Sequence, residues 1–235
     1  MRIDALTAFP QMFSGILQAS ILRRALENDH LRLWIHNLRH FTRDGHGRLD
    51  DYPYGGGAGM VLRAEPVFNA LDSLRASVRE TPTLVYFTPQ GKLFSQTVAC
   101  DYSHESWLIL LCGHYKDIDA RILQRDPWQE ISMGDYILSG GELAAVVFID
   151  AVVRRLSGVL GDEESALSDS FEDGLLDAPY FTRPEEIAGL TVPEVLLSGN
   201  HERIAQWRRS EREKRTRERR QDLWQKYQKR QENNL

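Results

Sequence analysis

The chain has 235 residues, of which 42% are hydrophobic and 27% charged, and a formal net charge of −5, so it is long enough for one large domain or a domain with an appendage. Its two cysteines, Cys100 and Cys112, are too few for a disulfide framework and have no CxxC spacing for a metal, so both are expected to be buried thiols. The longest apolar runs, such as Trp107 to Cys112, fall far short of a membrane span, and the opening MRIDALTAFP lacks the apolar stretch of a signal peptide; the expected location is the cytoplasm.

Taken in order, apolar strand-like runs alternate with helical patterns. A strand is expected at Ile3 to Phe9, a helix at Met12 to Glu27, a strand at Leu31 to Ile35 and a helix at Glu65 to Val78. Strands follow at Leu84 to Thr88 and Trp107 to Cys112, then a helix at Glu142 to Leu156. Such alternation predicts an α/β domain with a mostly parallel sheet over residues 1–160. The stretch SGVLGDEESALSDSFEDGLL is acidic and rich in small residues, and it reads as a flexible linker over 161–176, with residues 162–170 expected to be mobile for want of apolar surface to bury. From 177 to 235 the chain becomes helical and basic.

Charge is unevenly divided. Between His201 and Arg230 there are 12 Lys and Arg against 5 Asp and Glu, although the chain as a whole is acidic. Such a segment is either a solvated helix face with internal i,i+4 pairs or a contact for nucleic acid phosphate, with Trp207, Trp224 and Tyr227 interleaved among the charges.

Ligands of parallel sheets bind beyond the carboxyl ends of the strands. Three strand exits carry small or turn-forming residues: YFTPQGK from Tyr86, LLCGHYKDID from Leu110 and MGDYILSGGEL from Met133. Glycine lets a flat ring lie against the main chain, so these loops are expected to clear space for a ligand. On this reading, valine at Gly140 or Gly141 blocks binding and leaves the fold intact. The glycine-rich YGGGAGM from Tyr54 lacks the GK[ST] of a phosphate-binding loop, and no GxGxxG spacing occurs in these stretches, which argues against a nucleotide triphosphatase.

FPQMF at Phe9, DDYPYGGGAGM at Asp50, TPQG at Thr88, GDYILSGGEL at Gly134, DSFEDGLLDAPYFTRP at Asp169 and VPEVLLSGNHERIAQWR at Val192 resemble the TrmD family of bacterial tRNA (guanine-N1-)methyltransferases. The likeness spans residues 1 to about 210. It implies the SPOUT fold, an α/β domain with a deep C-terminal trefoil knot, followed by a linker and a small helical domain that binds tRNA. It further implies a homodimer with an active site shared between subunits, which methylates N1 of guanine 37, 3′-adjacent to the anticodon, using S-adenosylmethionine. The basic tail then becomes a tRNA contact. A noncatalytic RNA-binding module would leave the combination of glycine loops, Arg154 and Asp169 without a purpose, and a nucleotide-binding phosphotransferase would need a metal and phosphate constellation that the sequence does not display.

Carried over by this resemblance, the cofactor pocket falls on Tyr86, Phe87 and Pro89 of the first loop and on Gly113 and Tyr115 of the second. In the third loop it falls on Met133, Gly134, Tyr136, Leu138, Gly140 and Gly141. Asp169 takes the role of general base and Arg154 that of stabilising charge at guanine O6. The second loop departs from the family pattern. Where a glutamate and a glycine usually follow the tyrosine, this chain has Lys116 and Asp117, which reverses the local charge. The resemblance brings in Mg²⁺ as a second cofactor without assigning it a ligand, and this departure puts that part in question.

Overall fold

A computed structural model describes residues 1–161 and 169–233. The chain divides into two compact units, the first ending at Gly161.

The first unit is built on β1 (Arg2–Thr7), β2 (Arg32–Asn37), β5 (Thr83–Leu93), β6 (Trp107–Leu111) and β8 (Gln129–Ser132). They form one sheet in the order β2-β1-β6-β5-β8, with every pairing parallel. Short strands β3 (Asp50–Asp51), β4 (Val61–Leu62) and β7 (Asp117–Ile118) form a separate three-stranded sheet. The helices of this unit are α1 (Ser20–Glu27), α2 (Ala64–Ser77), α3 (Gln96–Ser103), α4 (Arg121–Arg125) and α5 (Gly141–Val153).

The central strand β6 explains the layering. All five of its residues are buried, and successive side chains point to opposite faces. Leu108 and Leu110 pack into one core with Ala25 of α1, Val98 of α3 and Phe148 of α5, while Trp107, Ile109 and Leu111 pack into another with Leu71 of α2 and Ile122 of α4. Helices therefore cover both faces, as the α/β reading requires.

Two departures from the sequence reading stand out. The helix expected over Met12 to Glu27 is broken into 3-10 turns at Pro10–Phe13 and Ile16–Gln18 before α1 begins. Ala19 is extended and Ser20 is left-handed, with φ of 52°, so helical hydrogen bonding restarts there. β8 was not anticipated: it is short, its first residues Gln129 and Glu130 are polar, and it lies at a sheet edge. Of the thiols, Cys112 is buried but Cys100 is only half-buried, correcting the expectation for the latter.

A polar cluster lies inside this apolar frame. Asp4, with no exposed surface, accepts hydrogen bonds from Arg2 Nε at 2.6 Å and Trp107 Nε1 at 2.7 Å, and its Oδ1 lies 2.6 Å from His36 Nε2. The Arg2 guanidinium sits between the rings of Trp34 and Trp107, 4.8 and 4.6 Å from their centroids. Burial by itself would raise the Asp4 carboxyl, but the contacts from His36, Arg2 and Trp107 outweigh it and hold the carboxyl below its ordinary range.

The second unit is described from Asp169. It contains the hairpin β9 (Glu186–Ile187) and β10 (Leu190–Thr191), then α6 (Glu194–Leu197), α7 (His201–Arg219) and α8 (Gln221–Asn233). Asn200 caps α7 by accepting from the Arg203 N–H at 3.1 Å. The end of the expected linker is packed rather than loose: Leu175 is buried, and the Leu176 N–H donates to Thr216 Oγ1 of α7 at 2.8 Å. Arg212 grips Asp173 with both terminal nitrogens, at 2.9 and 2.6 Å. The remainder of the linker expectation, residues 162–168, lies outside the described residues.

Candidate active site

Three chain segments converge: the stretch 86–90 inside β5, which the sequence suggests to be a loop after the strand, and the stretches that follow β6 and β8. They line one cavity of about 340 Å³, the size class of small-molecule sites. All eleven residues named from the sequence for cofactor binding, from Tyr86 to Gly141, contribute to its wall. Thr88, Gln90, His114, Lys116, Asp117, Ser132 and Ser139 line it too, and the sequence reading did not select them as pocket residues. Their only signal was position within the same loops.

β5 enters this region irregularly: its pairing with β8 shifts register between Phe87 and Lys92, which places Pro89 in the bulge. Tyr115 follows β6 in the left-handed region, with φ of 68°, a strained conformation for a non-glycine residue. Tyr136 turns back on its own loop, its hydroxyl donating to the Met133 carbonyl at 3.0 Å.

Gly141 of the third loop has a purpose the sequence did not suggest. A Cβ on Gly141 would lie 2.7 Å from Cys112 Cα and 2.9 Å from the Gly113 nitrogen. The Gly141 N–H donates to the Gly113 carbonyl at 2.7 Å, and His114 pairs with Gly140 as an isolated bridge. At Gly141 the second and third loops thus meet backbone to backbone, and glycine is demanded there by that contact. The expectation that valine there leaves the fold intact is corrected accordingly. Gly141→Val is expected to destabilise the ligand-free protein by roughly 1–3 kcal/mol, as overpacking does, seen as a lowered Tm before any ligand is added. An unchanged Tm would contradict the close approach.

Charge in the cavity comes from Lys116 and Asp117. Asp117 Oδ1 accepts from the Tyr86 hydroxyl at 2.9 Å and from the Ile118 N–H at 2.7 Å. Burial and the Asp117 carboxylate together push the Tyr86 phenol well up, so it stays protonated and acts as a donor. Burial, with Glu142 nearby, likewise raises the Cys112 thiol, which is no nucleophile. Among the described residues, no group of three or more His, Cys, Asp or Glu comes together to hold a metal ion.

The proposed chemical residues lie elsewhere. Arg154 caps the C-terminal end of α5, whereas Gly141 begins it. A helix of 13 residues is about 20 Å long, so the guanidinium is not brought to the cavity within one subunit's first unit. Asp169 belongs to the second unit and is half-buried.

The sequence model of tRNA (Guanine-1)-methyltransferase TrmD matches residues 1–226. The chain belongs to this family. It is 48% identical over 227 residues to the tRNA (guanine-N(1)-)-methyltransferase of Bacillus licheniformis, covering 97% of this chain and 93% of that one. Its identity to the Staphylococcus aureus protein of the same description is 50% over 227 residues, covering 97% and 92%. TrmD membership accounts for a parallel sheet opening onto a loop-built cavity, with a basic helical unit behind it in sequence. No helix among the described residues is long and apolar enough to cross a membrane.

Proposed function

We propose that the protein methylates N1 of guanine 37 in tRNA with S-adenosylmethionine as donor, working in the cytoplasm as a homodimer. The observation that carries this reading is the convergence of three segments, in a TrmD family chain, on one cavity: the irregular middle of β5 and the stretches that follow the parallel strands β6 and β8. The family's trefoil knot belongs to the same proposal, as does the division into a cofactor-binding domain over 1–160, a linker over 161–176 and a tRNA-binding domain over 177–235.

The cavity suits the donor. It has the volume of a small-molecule site, apolar wall from Phe87, Ile131 and Leu138, and main chain along its wall at Gly113, Gly134 and Gly140. When bound, S-adenosylmethionine supplies an electrophilic methyl group. Asp169 accepts the N1 proton of guanine, which is otherwise a poor nucleophile. Negative charge then grows at O6, where the Arg154 guanidinium stabilises it. The length of α5 supports a site completed by a second subunit, because the Arg154 end of the helix stands away from the cavity of its own chain. The described residues offer no three-ligand metal site, so no step is assigned to Mg²⁺.

Calorimetric binding of S-adenosylmethionine, followed by transfer of labelled methyl to tRNA transcripts carrying guanine or adenine at position 37, tests this reading. Methylation independent of nucleotide 37, or none despite donor binding, would overturn it.

In the second unit, tRNA contact competes with internal pairing. Arg209 already pairs with Glu213 at 3.1 Å and Arg220 with Asp222 at 2.7 Å, while Trp224 stacks on Tyr227 with centroids 5.6 Å apart. Exposed ion pairs of this kind contribute little to stability, so these cations can exchange partners at slight cost. Reversing the charges of Arg208, Arg209 and Arg215 together is expected to weaken tRNA binding and flatten its logarithmic salt dependence by about 2–3. Donor affinity should not change. An unaltered salt slope would identify α7 as a solvated helix only.

A further inference from the structure

We infer that Glu142 is a positioning residue that holds His114 with its proton on Nδ1, so that Nε2 is a hydrogen-bond acceptor for the methyl donor in the cavity. The inference rests on the donor-binding reading above. Glu142 has no exposed surface, yet its Oε2 has no hydrogen-bond partner among the described residues. The same is true of His114 Nδ1, which lies 3.6 Å from that oxygen. Two buried polar atoms without partners are uncommon, and here each faces the other across slightly more than hydrogen-bonding distance. A carboxylate can only accept, so the nitrogen turned toward it carries the proton.

Neighbouring atoms fix this arrangement. The Phe9 N–H donates to Thr7 Oγ1 at 2.9 Å, and the Thr7 hydroxyl donates to Glu142 Oε1 at 2.7 Å. One carboxylate oxygen is therefore occupied and the other is left for His114. Gly140 seals the pair: a Cβ there would stand 2.3 Å from His114 Nδ1 and 2.4 Å from Glu142 Oε2. Phe9 packs on the imidazole with centroids 4.6 Å apart and Tyr115 at 5.2 Å, which limits rotation of the ring. His114 lines the cavity, and with Nδ1 turned to Glu142 the ring nitrogen left to meet an occupant is Nε2. An acceptor there recognises an N–H or O–H of the donor molecule.

The tautomer can be read without ligand from imidazole ¹⁵N shifts of the full-length protein, with His114→Gln identifying the signal. The expected result is protonation at Nδ1 alone. In Glu142→Gln the Thr7 hydroxyl keeps the amide oxygen on its side, so the amide NH₂ faces Nδ1 and the imidazole proton moves to Nε2. Affinity for S-adenosylmethionine should then fall about tenfold, the scale of one lost hydrogen bond, with kcat at saturating donor retained. A wild-type His114 protonated at Nε2, or at both nitrogens, overturns the inference, as does a switched tautomer with unchanged affinity. If Glu142→Gln does not fold, His114→Gln, whose amide can donate to Glu142 and accept from the ligand, should bind the donor better than His114→Leu. Equal loss in both overturns it. Failure of the wild-type protein to bind the donor would instead refute the donor-binding reading and leave the tautomer result standing.

Discussion

Asp169→Ala and Arg154→Ala are each expected to lower turnover on tRNA by at least ~100-fold, the scale of a lost general base or of lost charge stabilisation. Guanine N1 is a weak acid and a carboxylate is a weak base, so proton removal by Asp169 depends on the anion being stabilised as it forms. On the proposed mechanism Arg154 and Asp169 serve one step, and the double variant should be little slower than the slower single variant. Single-turnover methylation separates the chemical step from product release. Binding of S-adenosylmethionine, measured by calorimetry, should remain nearly unchanged, because the cavity is lined by residues of the first unit that do not include Arg154, and Asp169 belongs to the second unit. Two effects that multiply in the double variant would show that the residues serve separate steps. A large loss of donor affinity in either single variant would move that residue into the pocket.

Asp4→Asn is expected to destabilise the protein by about 3 kcal/mol, the low end for breaking a buried ion pair, since Arg2 keeps 25% of its side chain in solvent. The substitution leaves His36, Arg2 and the buried indole of Trp107 sharing a neutral amide in place of a carboxylate. Because the Asp4 carboxyl titrates lower in the folded protein than its ordinary value, its contribution is complete above the unfolded pKa of about 3.9 and disappears as pH falls through the folded pKa. Denaturant unfolding at pH 7 should show the full difference between wild type and variant, and the gap should narrow below about pH 4. A gap that persists undiminished in acid would assign the loss to packing.

The sheet was legible because its inner strands are nearly continuous apolar runs: Trp107–Leu111 could hardly be other than buried. β8 was hidden because an edge strand beginning Gln129-Glu130 carries no such run. The apolar spacing around Met12 to Glu27 suits a helix, but nothing in it announces the left-handed turn at Ser20 that divides the segment. Pocket residues followed from loop position and family likeness, since glycine, proline and aromatic residues at strand exits are visible in a string of letters. The meaning of Gly140 and Gly141 was not visible, because it depends on how closely the His114 and Glu142 side chains approach the first and the Cys112 and Gly113 main chain the second. Glu142 was passed over for a similar reason: its partners Thr7 and His114 come from two other elements, and only folding brings the three together.

The meeting of the second and third loops along bare backbone bears on resistance to inhibitors. Where Gly113, Gly134, Gly140 and Gly141 form the wall, an occupant faces peptide groups, and no substitution except proline, which removes the N–H, changes the chemistry of a peptide group. A point mutation at Gly141 can alter this surface only by adding bulk, and the added carbon collides with Cys112 before it reaches a bound molecule. An inhibitor anchored to these main-chain groups would thus confront an organism with substitutions that damage the enzyme's own fold, whereas one anchored to Lys116 or Gln90 could be evaded by replacing a side chain.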